Sequence, residues 1–271
     1  MPLAERAGHA IHFEALGDPA APPLLLIMGL ALSSRGWETL PRRLAERFHV
    51  LVFDNRGTGR SGRMGWMYRM RDLADDAAAV LDAAEVAQAD VFGISLGGMI
   101  AQELVLRHPN RVRRLALGAT FASFWRSTKA GPRILLQAMV AHLGRRRTVA
   151  GRVARLLVSD RFHAANPERG RKWILASEFG GFRCAIAQMA AVVRHATLRR
   201  LARIRAPTLI ITGDADRLVP ARNSEVLATS IPGARLLVLP GAGHAFPLER
   251  EDETVRALTA HFLDAPQSSV A

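Results

Sequence analysis

Cysteine is almost absent from these 271 residues. Cys184 stands alone, which excludes an intramolecular disulfide framework and any cysteine-rich metal site. Tyrosine is as scarce, with Tyr68 alone, and lysine occurs only as Lys129 and Lys172. No uninterrupted apolar run approaches the ~20 residues of a membrane span. The first 17 residues hold Glu5 and Glu14 and no long apolar stretch, so no secretory signal is expected and the reading is a cytoplasmic, reducing setting. What remains is ordinary for a globular chain, 49% hydrophobic and 23% charged, enough for a sizeable core and contrary to disorder. The length suits one large domain, or a core with a modest insertion.

Acidic residues are in deficit, 24 against 37 Lys and Arg, for a net charge of +13. The excess is local. Residues 120–206 hold 18 Lys and Arg but only Asp160, Glu168 and Glu178 as acids, a net of +15; the rest of the chain carries 19 against 21, a net of −2. The densest stretch contains Arg145, Arg146, Arg147, Arg152, Arg155 and Arg161. Ile134, Leu135, Met139, Leu143, Val149, Val153, Leu156 and Leu157 are interleaved at helical spacing, the pattern of amphipathic helices with a solvated basic face. A nucleic-acid role is not expected, because no binding motif or aromatic interleaving accompanies the arginines.

The flanks alternate. Leu24–Ile27, Val50–Phe53, Val91–Ile94, Val112–Leu117, Thr208–Ile211 and Leu236–Leu239 are short apolar runs ending at turn residues. Helical patterns over Trp37–Phe48, Arg71–Ala87, Leu96–Arg107, Ala221–Ile231 and Glu249–Leu263 separate or follow them. Strands apolar on both faces, alternating with helices, indicate an α/β architecture with a doubly wound, mostly parallel sheet. The basic segment breaks that alternation and reads as an insertion between two strands. The expected division is core 1–119, helical insertion 120–206 and core 207–271.

Gly93-Ile94-Ser95-Leu96-Gly97 joins an apolar strand to a helical pattern. That is G-x-S-x-G in the context that gives it meaning: a turn so tight that its flanking residues must be glycine, lifting a serine hydroxyl above the sheet edge. Gly98 lets the helix approach the sheet closely. The serine also meets a helix N-terminus, whose unpaired N–H groups favour developing negative charge. A serine hydroxyl needs a base. Among nine histidines, His244 follows the last apolar strand on the Gly241-Ala242-Gly243-His244 turn, at the same sheet edge. His49, His108 and His261 read as solvated or structural, while His142, His163 and His195 lie in the basic segment. The base needs a carboxylate partner. Asp216, deeper in the loop after Thr208–Ile211, is the choice, with Asp214 as the alternative. Two N–H donors are needed for an oxyanion: Leu96, directly after the serine, and Leu30, turned inward by Gly29.

With these motifs assembled, the chain resembles the α/β-hydrolase superfamily over essentially its whole length. Asp54-Asn55-Arg56-Gly57-Thr58-Gly59-Arg60-Ser61 is similar to that family's D-x-R-G-x-G-x-S turn, and the basic segment begins where the family places its cap. The resemblance implies an α/β-hydrolase fold with a helical cap, a Ser95, Asp216, His244 triad, and no cofactor or metal. Met28 stands where many members have histidine before the oxyanion glycine. Epoxide hydrolases and haloalkane dehalogenases use an aspartate nucleophile, and the sole tyrosine precedes the cap, so both activities are disfavoured. The Ser95-Leu96-Gly97-Gly98 elbow is similar to small carboxylesterases, enol-lactonases and perhydrolases.

The expected activity is a serine hydrolase acting on a small-molecule ester or lactone, including an anionic one. One alternative is a thioesterase or acyl transferase using an acidic carrier protein or a coenzyme A-linked acyl group. The other is a ligand-binding receptor on the same fold with slow turnover or none. Met28 and Trp125 are candidate substrate contacts. Phe121, Phe124 and Phe182 are further candidates for a pocket wall, and Ile94 and Met99 are expected to pack beneath the elbow. Neither a membrane nor a nucleic-acid partner is expected.

Overall fold

The computed structural model describes residues 2–62, 68–134, 137, 146–178 and 180–264. Eight strands among them form one sheet: β1 (Leu3–Arg6), β2 (His9–Leu16), β3 (Pro23–Ile27), β4 (His49–Phe53), β5 (Ala89–Ile94), β6 (Val112–Gly118), β7 (Thr208–Gly213) and β8 (Arg235–Leu239). Their spatial order is β1-β2-β4-β3-β5-β6-β7-β8. Strands β3 to β8 are parallel, whereas β2 runs antiparallel to β4 and β1 antiparallel to β2.

Period-2 alternation sends successive side chains of these apolar runs to opposite faces, and both faces are covered. Leu25, Ile27 and Val91 pack in one core with Leu73 of α2 (Met70–Ala83) and Leu104 of α3 (Leu96–Arg107). Leu24, Leu26 and Phe92 pack in the other with Leu40 of α1 (Leu40–Leu44) and with residues near the C-terminus. Each leucine buried in this way contributes about 1.5–3 kcal/mol relative to exposure. The parallel arrangement follows, because a strand apolar on both faces needs helices on both.

Between β6 and β7 the described chain includes helices α4 (Arg146–Leu157), α5 (Asp160–Ala165), α6 (Pro167–Ala176) and α7 (Gly181–Val193). Val153 and Trp173 join the core behind Leu24, and Ala187, Ala191 and Val192 join the core behind Leu25. The segment therefore shares both cores. Arg147, Arg155, Arg161 and Arg183 are exposed, so the basic face is turned to solvent. Leu135, Met139, Leu143 and Arg145 lie outside the described residues, as does the side chain of Arg146. Where the chain leaves and rejoins the sheet its two ends are pinned together: Phe124 N–H donates to His195 O at 3.2 Å, and Thr197 N–H to Ala122 O at 2.7 Å. Thr197 Oγ1 adds a bond to Gln102 Oε1 on α3 at 2.5 Å.

Three features depart from the sequence reading. β1 and β2 form a hairpin through Ala7 and Gly8, both at positive φ, which the apolar-run criterion passed over because β2 is half-polar. β8 is not buried on both faces: as the last strand it has one neighbour, and Leu236 and Val238 are 37% and 40% exposed. Trp37–Phe48 is a short 3₁₀ turn, Ser34–Trp37, followed by α1, interrupted where Glu38 takes a positive φ. After β7 come α8 (Arg222–Ser230), then β8, α9 (Phe246–Glu249) and α10 (Glu251–Leu263), the last bringing Leu258 and Phe262 into the Leu24 core.

The Asp54–Ser61 turn is scaffolding. Buried Asp54 accepts from Ser34 N–H at 2.7 Å and Arg60 N–H at 2.9 Å. Arg56 makes a two-pronged pair with Asp76 on α2, both side chains buried, and Asn55 Nδ2 donates to Met28 O at 3.0 Å. Among the described residues no helix is long and apolar enough to cross a membrane.

Two buried histidines tie stability to pH. Burial pushes His195 down to about 3 and His261 down to about 4, although His261 Nε2–H donates to Leu115 O at 3.0 Å. Both are neutral in the folded state and protonate more readily when unfolded, so their cost appears as pH falls below 6.5. Unfolding free energy in urea should drop between pH 6.5 and 5, by on the order of 1–2 kcal/mol per histidine. His261→Gln should flatten that slope; an unchanged slope would refute it.

Candidate active site

Ser95 stands between β5 and α3 with φ +55° and ψ −118°, a left-handed backbone that a non-glycine residue adopts at a cost of about 1–3 kcal/mol. Its N–H donates to Gly118 O at 2.8 Å, and its carbonyl accepts from Thr120 Oγ1 at 2.8 Å, so the end of β6 holds the strained turn. The glycines expected around it are sterically required. A β-carbon on Gly97 would collide with the Ile27 carbonyl, and one on Gly93 with the backbone of Gly97. Helix α3 thus starts hard against the end of β3, and the half-buried serine opens upward.

His244 and Asp216 come from the loops after β8 and β7. His244 Nδ1 and Asp216 Oδ2 lie 2.7 Å apart, both residues 5% exposed. The other oxygen of Asp216 accepts from Leu218 N–H at 2.9 Å and Val219 N–H at 2.8 Å, which locks the carboxylate in place. With Nδ1–H donating to that carboxylate, Nε2 is left with its lone pair, the tautomer a proton acceptor needs. Asp214 instead accepts from Gly241 N–H at 2.6 Å and closes the turn; it is exposed. The two loops cross at Gly213, where a β-carbon would collide with the Ala242 carbonyl.

Ser95 and His244 line one cavity of about 630 Å³, together with Leu30 and Leu96. Leu96 is the first residue of α3, so the helix supplies no acceptor for its N–H. Gly29 lies beside the serine: a β-carbon there would sit 3.4 Å from Ser95 Cβ. The walls are apolar, with Met28, Trp37, Met99, Phe121, Phe124 and Trp173 among them. Among the described residues, the formal charge on the wall comes from Glu38, Lys129 and Arg169, all exposed, and half-buried Glu251. Although both residues are exposed overall, partial desolvation at the cavity rim raises the Glu38 carboxyl and lowers the Lys129 ammonium from their ordinary values. An apolar cleft with a few convergent polar groups suits a small, largely apolar ligand.

Several sequence-predicted residues fall elsewhere. Trp125 is 75% exposed and is not part of the cavity wall; its neighbour Phe124 takes that place. A run of aromatics in a loop cannot say which ring turns inward. Met28, a candidate substrate contact, lies on the wall, and Ile94 and Met99, expected beneath the elbow, also face the cavity. The side chain of Phe182 lies outside the described residues, as does His142. His108 Nε2 is 2.8 Å from Asp75 Oδ1, His195 and His261 are buried, His49 opens β4, and His163 is on α5. None of these five lines the cavity. Glu249 was not signalled by the sequence. It accepts from Gly243 N–H at 3.2 Å and from Ser159 N–H at 2.8 Å, bracing the loop of His244 against the segment between β6 and β7. Among the described residues no group of three or more His, Cys, Asp or Glu is placed to hold a metal ion.

Residues 22–251 match the family described as alpha/beta hydrolase fold. The chain is 34% identical over 280 residues to the rhodomycin D methylesterase DauP of Streptomyces sp. strain C5, covering 92% of this chain and 93% of that protein. It is 32% identical over 258 residues to the putative carbamate hydrolase RutD of Azorhizobium caulinodans, covering 91% and 92%. Among solved structures, a hydrolase from Pseudomonas aeruginosa PA01 superposes with a TM-score of 0.83 at 30% identity, covering 97% of each chain.

The placement of the two aromatics has a kinetic consequence. Phe124→Ala should raise KM for an apolar ester several-fold, whereas Trp125→Ala should leave it within about twofold, since only the former removes buried apolar contact. Steady-state kinetics on the two variants checks this; the reverse order would refute it.

Proposed function

The chain belongs to the α/β-hydrolase family, and on that premise we propose that it is a serine hydrolase cleaving a carboxylic ester or lactone through an acyl-enzyme. The Asp216–His244 hydrogen bond, with His244 and Ser95 on one cavity, carries the reading. Ser95 Oγ attacks the substrate carbonyl carbon as His244 Nε2 takes its proton. The Leu30 and Leu96 N–H groups stabilise the resulting oxyanion. Its collapse breaks the acyl–oxygen bond, and His244 returns the proton to the departing alkoxide. Water, deprotonated by His244, then attacks the acyl-enzyme carbonyl, and a second collapse releases the acid and restores Ser95. Asp216 fixes the imidazole and stabilises its protonated form. A lactone is a cyclic ester and follows the same steps, its alcohol staying attached to the acid product. The relatives named as a methylesterase and a putative carbamate hydrolase support a substrate whose carbonyl carries an oxygen or nitrogen leaving group. We assign residues 120–206 as the cap of the site, because α4, α6 and α7 supply Val153, Trp173 and Met189 to the cavity wall.

One observation favours a second reading, a thioesterase or acyl transferase taking an anionic carrier- or coenzyme A-linked acyl group. Lys129 lines the cavity, lies over the Phe124 ring at 3.8 Å, and among the described residues pairs with no carboxylate. Under that reading, Lys129→Met should raise KM several-fold for a coenzyme A thioester but not for a neutral ester, and added salt should do the same. Equal responses would remove its support.

For the principal reading, Ser95→Ala should abolish both turnover of a short p-nitrophenyl ester and labelling by a fluorophosphonate. Asp216→Asn should lower kcat by about 10⁴, and Asp214→Asn by less than about tenfold. Labelling that survived Ser95→Ala would overturn the assignment. Ligand binding without product, in the unaltered protein and across ester, lactone, carbamate and thioester substrates, would indicate a receptor instead.

A further inference from the structure

Leu30 is held by what happens at its neighbour. Ala31 adopts a left-handed backbone, φ +59°, which costs a non-glycine residue about 1–2 kcal/mol and persists only where its surroundings impose it. The surroundings come from the segment between β6 and β7. Ala31 N–H donates to Gln188 Oε1 on α7 at 2.6 Å, and Ala31 C=O accepts from Gly180 N–H at 2.8 Å. Two residues on, Ser33 N–H donates to Ser177 O at 3.0 Å. From the core side the loop is tied at its start, where Asn55 Nδ2 donates to Met28 O at 3.0 Å, and beyond Ser33, where Ser34 N–H donates to Asp54 Oδ1 at 2.7 Å.

Gln188 is the one side chain among the groups from that segment, and it is fully buried. Its amide does two jobs. The oxygen takes the Ala31 N–H, and the nitrogen lies 3.4 Å from Arg56 O, in the turn that carries the Arg56–Asp76 pair. An aliphatic side chain there would leave the buried Ala31 N–H without an acceptor. The peptide that Gln188 grips joins Leu30 to Ala31, on the far side of the Leu30 α-carbon from its N–H; with Met28 O held by Asn55, the grip limits the rotations that aim the Leu30 N–H. We infer that Gln188 is a positioning residue for the oxyanion donor at Leu30, through which the segment between β6 and β7 completes the site. This rests on the serine-hydrolase reading above. The segment then has a part in the chemistry as well as in shaping the cavity: when α7 is seated, the donor is aimed.

The test uses the full chain with Gln188→Met, similar in length but with no donor and only a weak sulfur acceptor, and Gln188→Glu, which keeps an acceptor for Ala31 N–H. On a short p-nitrophenyl ester, Gln188→Met should lower kcat about 10- to 100-fold with KM within about threefold, since a misaimed donor is felt in the transition state. Its affinity for a trifluoromethyl ketone, which forms an oxyanion on the serine, should weaken by a similar factor. Gln188→Glu should recover most of kcat. A role in packing alone would lower Tm while the folded protein kept its kcat and its ketone affinity, and that result overturns the inference. Should Gln188→Glu fail to fold, the split between kcat and KM in Gln188→Met decides. Ser95→Ala is run in parallel. If it retains turnover, the serine-hydrolase reading falls; if it is inactive while Gln188→Met is unimpaired, this inference alone falls.

Discussion

The close approach of the first turn of α3 to the end of β3 is the constraint on which the rest of the molecule depends. There is no room for a methyl group between Gly97 and the Ile27 carbonyl. The strand-to-helix turn must therefore reverse within one residue, and Ser95 bears the unfavourable backbone that this requires. The loop that leaves β3 is pressed beside the serine for the same reason, bringing Gly29 against Ser95 and Leu30 to the cavity. A similar contact between Gly213 and Ala242 brings the histidine loop across the aspartate loop. Close-packed interiors transmit displacement. At this edge of the sheet that property fixes four loops relative to one another.

What the sequence made legible was local. Strands β3 to β7 are short runs apolar on both faces, and alternating burial into two cores accounts for each of them. The Gly93–Gly97 motif could be read because its chemistry and its sterics occupy five consecutive residues. Asp216 and His244 could be singled out from the positions of strand ends; in the fold Asp216 bonds His244, whereas Asp214 bonds Gly241 N–H. The features that escaped depend on what lies across space. Leu236 and Val238 are as apolar as any central strand, and only β8's place as the last strand exposes them. Trp125 and Phe124 are adjacent aromatics whose inward or outward turn is set by the fold. Gln188 and Glu249 are ordinary helical polar residues in sequence, and their importance lies in what they grip in distant loops.

The excess positive charge divides in the same manner. Its concentration in residues 120–206 was evident from counting. The structure adds that the three acids there are already engaged: Asp160 pairs with Arg217, Glu168 with Arg171 and Glu178 with Arg35. The basic surface is thus hardly neutralised from within. Of the segment's cations, Lys129 and Arg169 alone are part of the described cavity wall, and Arg169 faces Glu38 at 3.8 Å. Most of the described arginines of the segment are exposed, and Lys129 is the cavity-lining cation there that pairs with no carboxylate among the described residues.

The pinned ends of that segment carry a consequence for how such a protein can change. Bonds between Ala122 and Thr197 and between Phe124 and His195 bring the two ends together before the helices begin. The sheet thus senses a closed loop of fixed span, whatever the loop contains. Closing a longer loop costs only about 0.6 kcal/mol per doubling of its length. Length can be added beyond the pin at little cost in loop closure, with the register of β6 and β7 undisturbed, whereas exchanging a helix also costs the core contacts of residues such as Val153, Trp173 and Ala191. The cavity wall that this segment supplies can therefore change in length and shape without changing the sheet, provided that what replaces it still fills both cores.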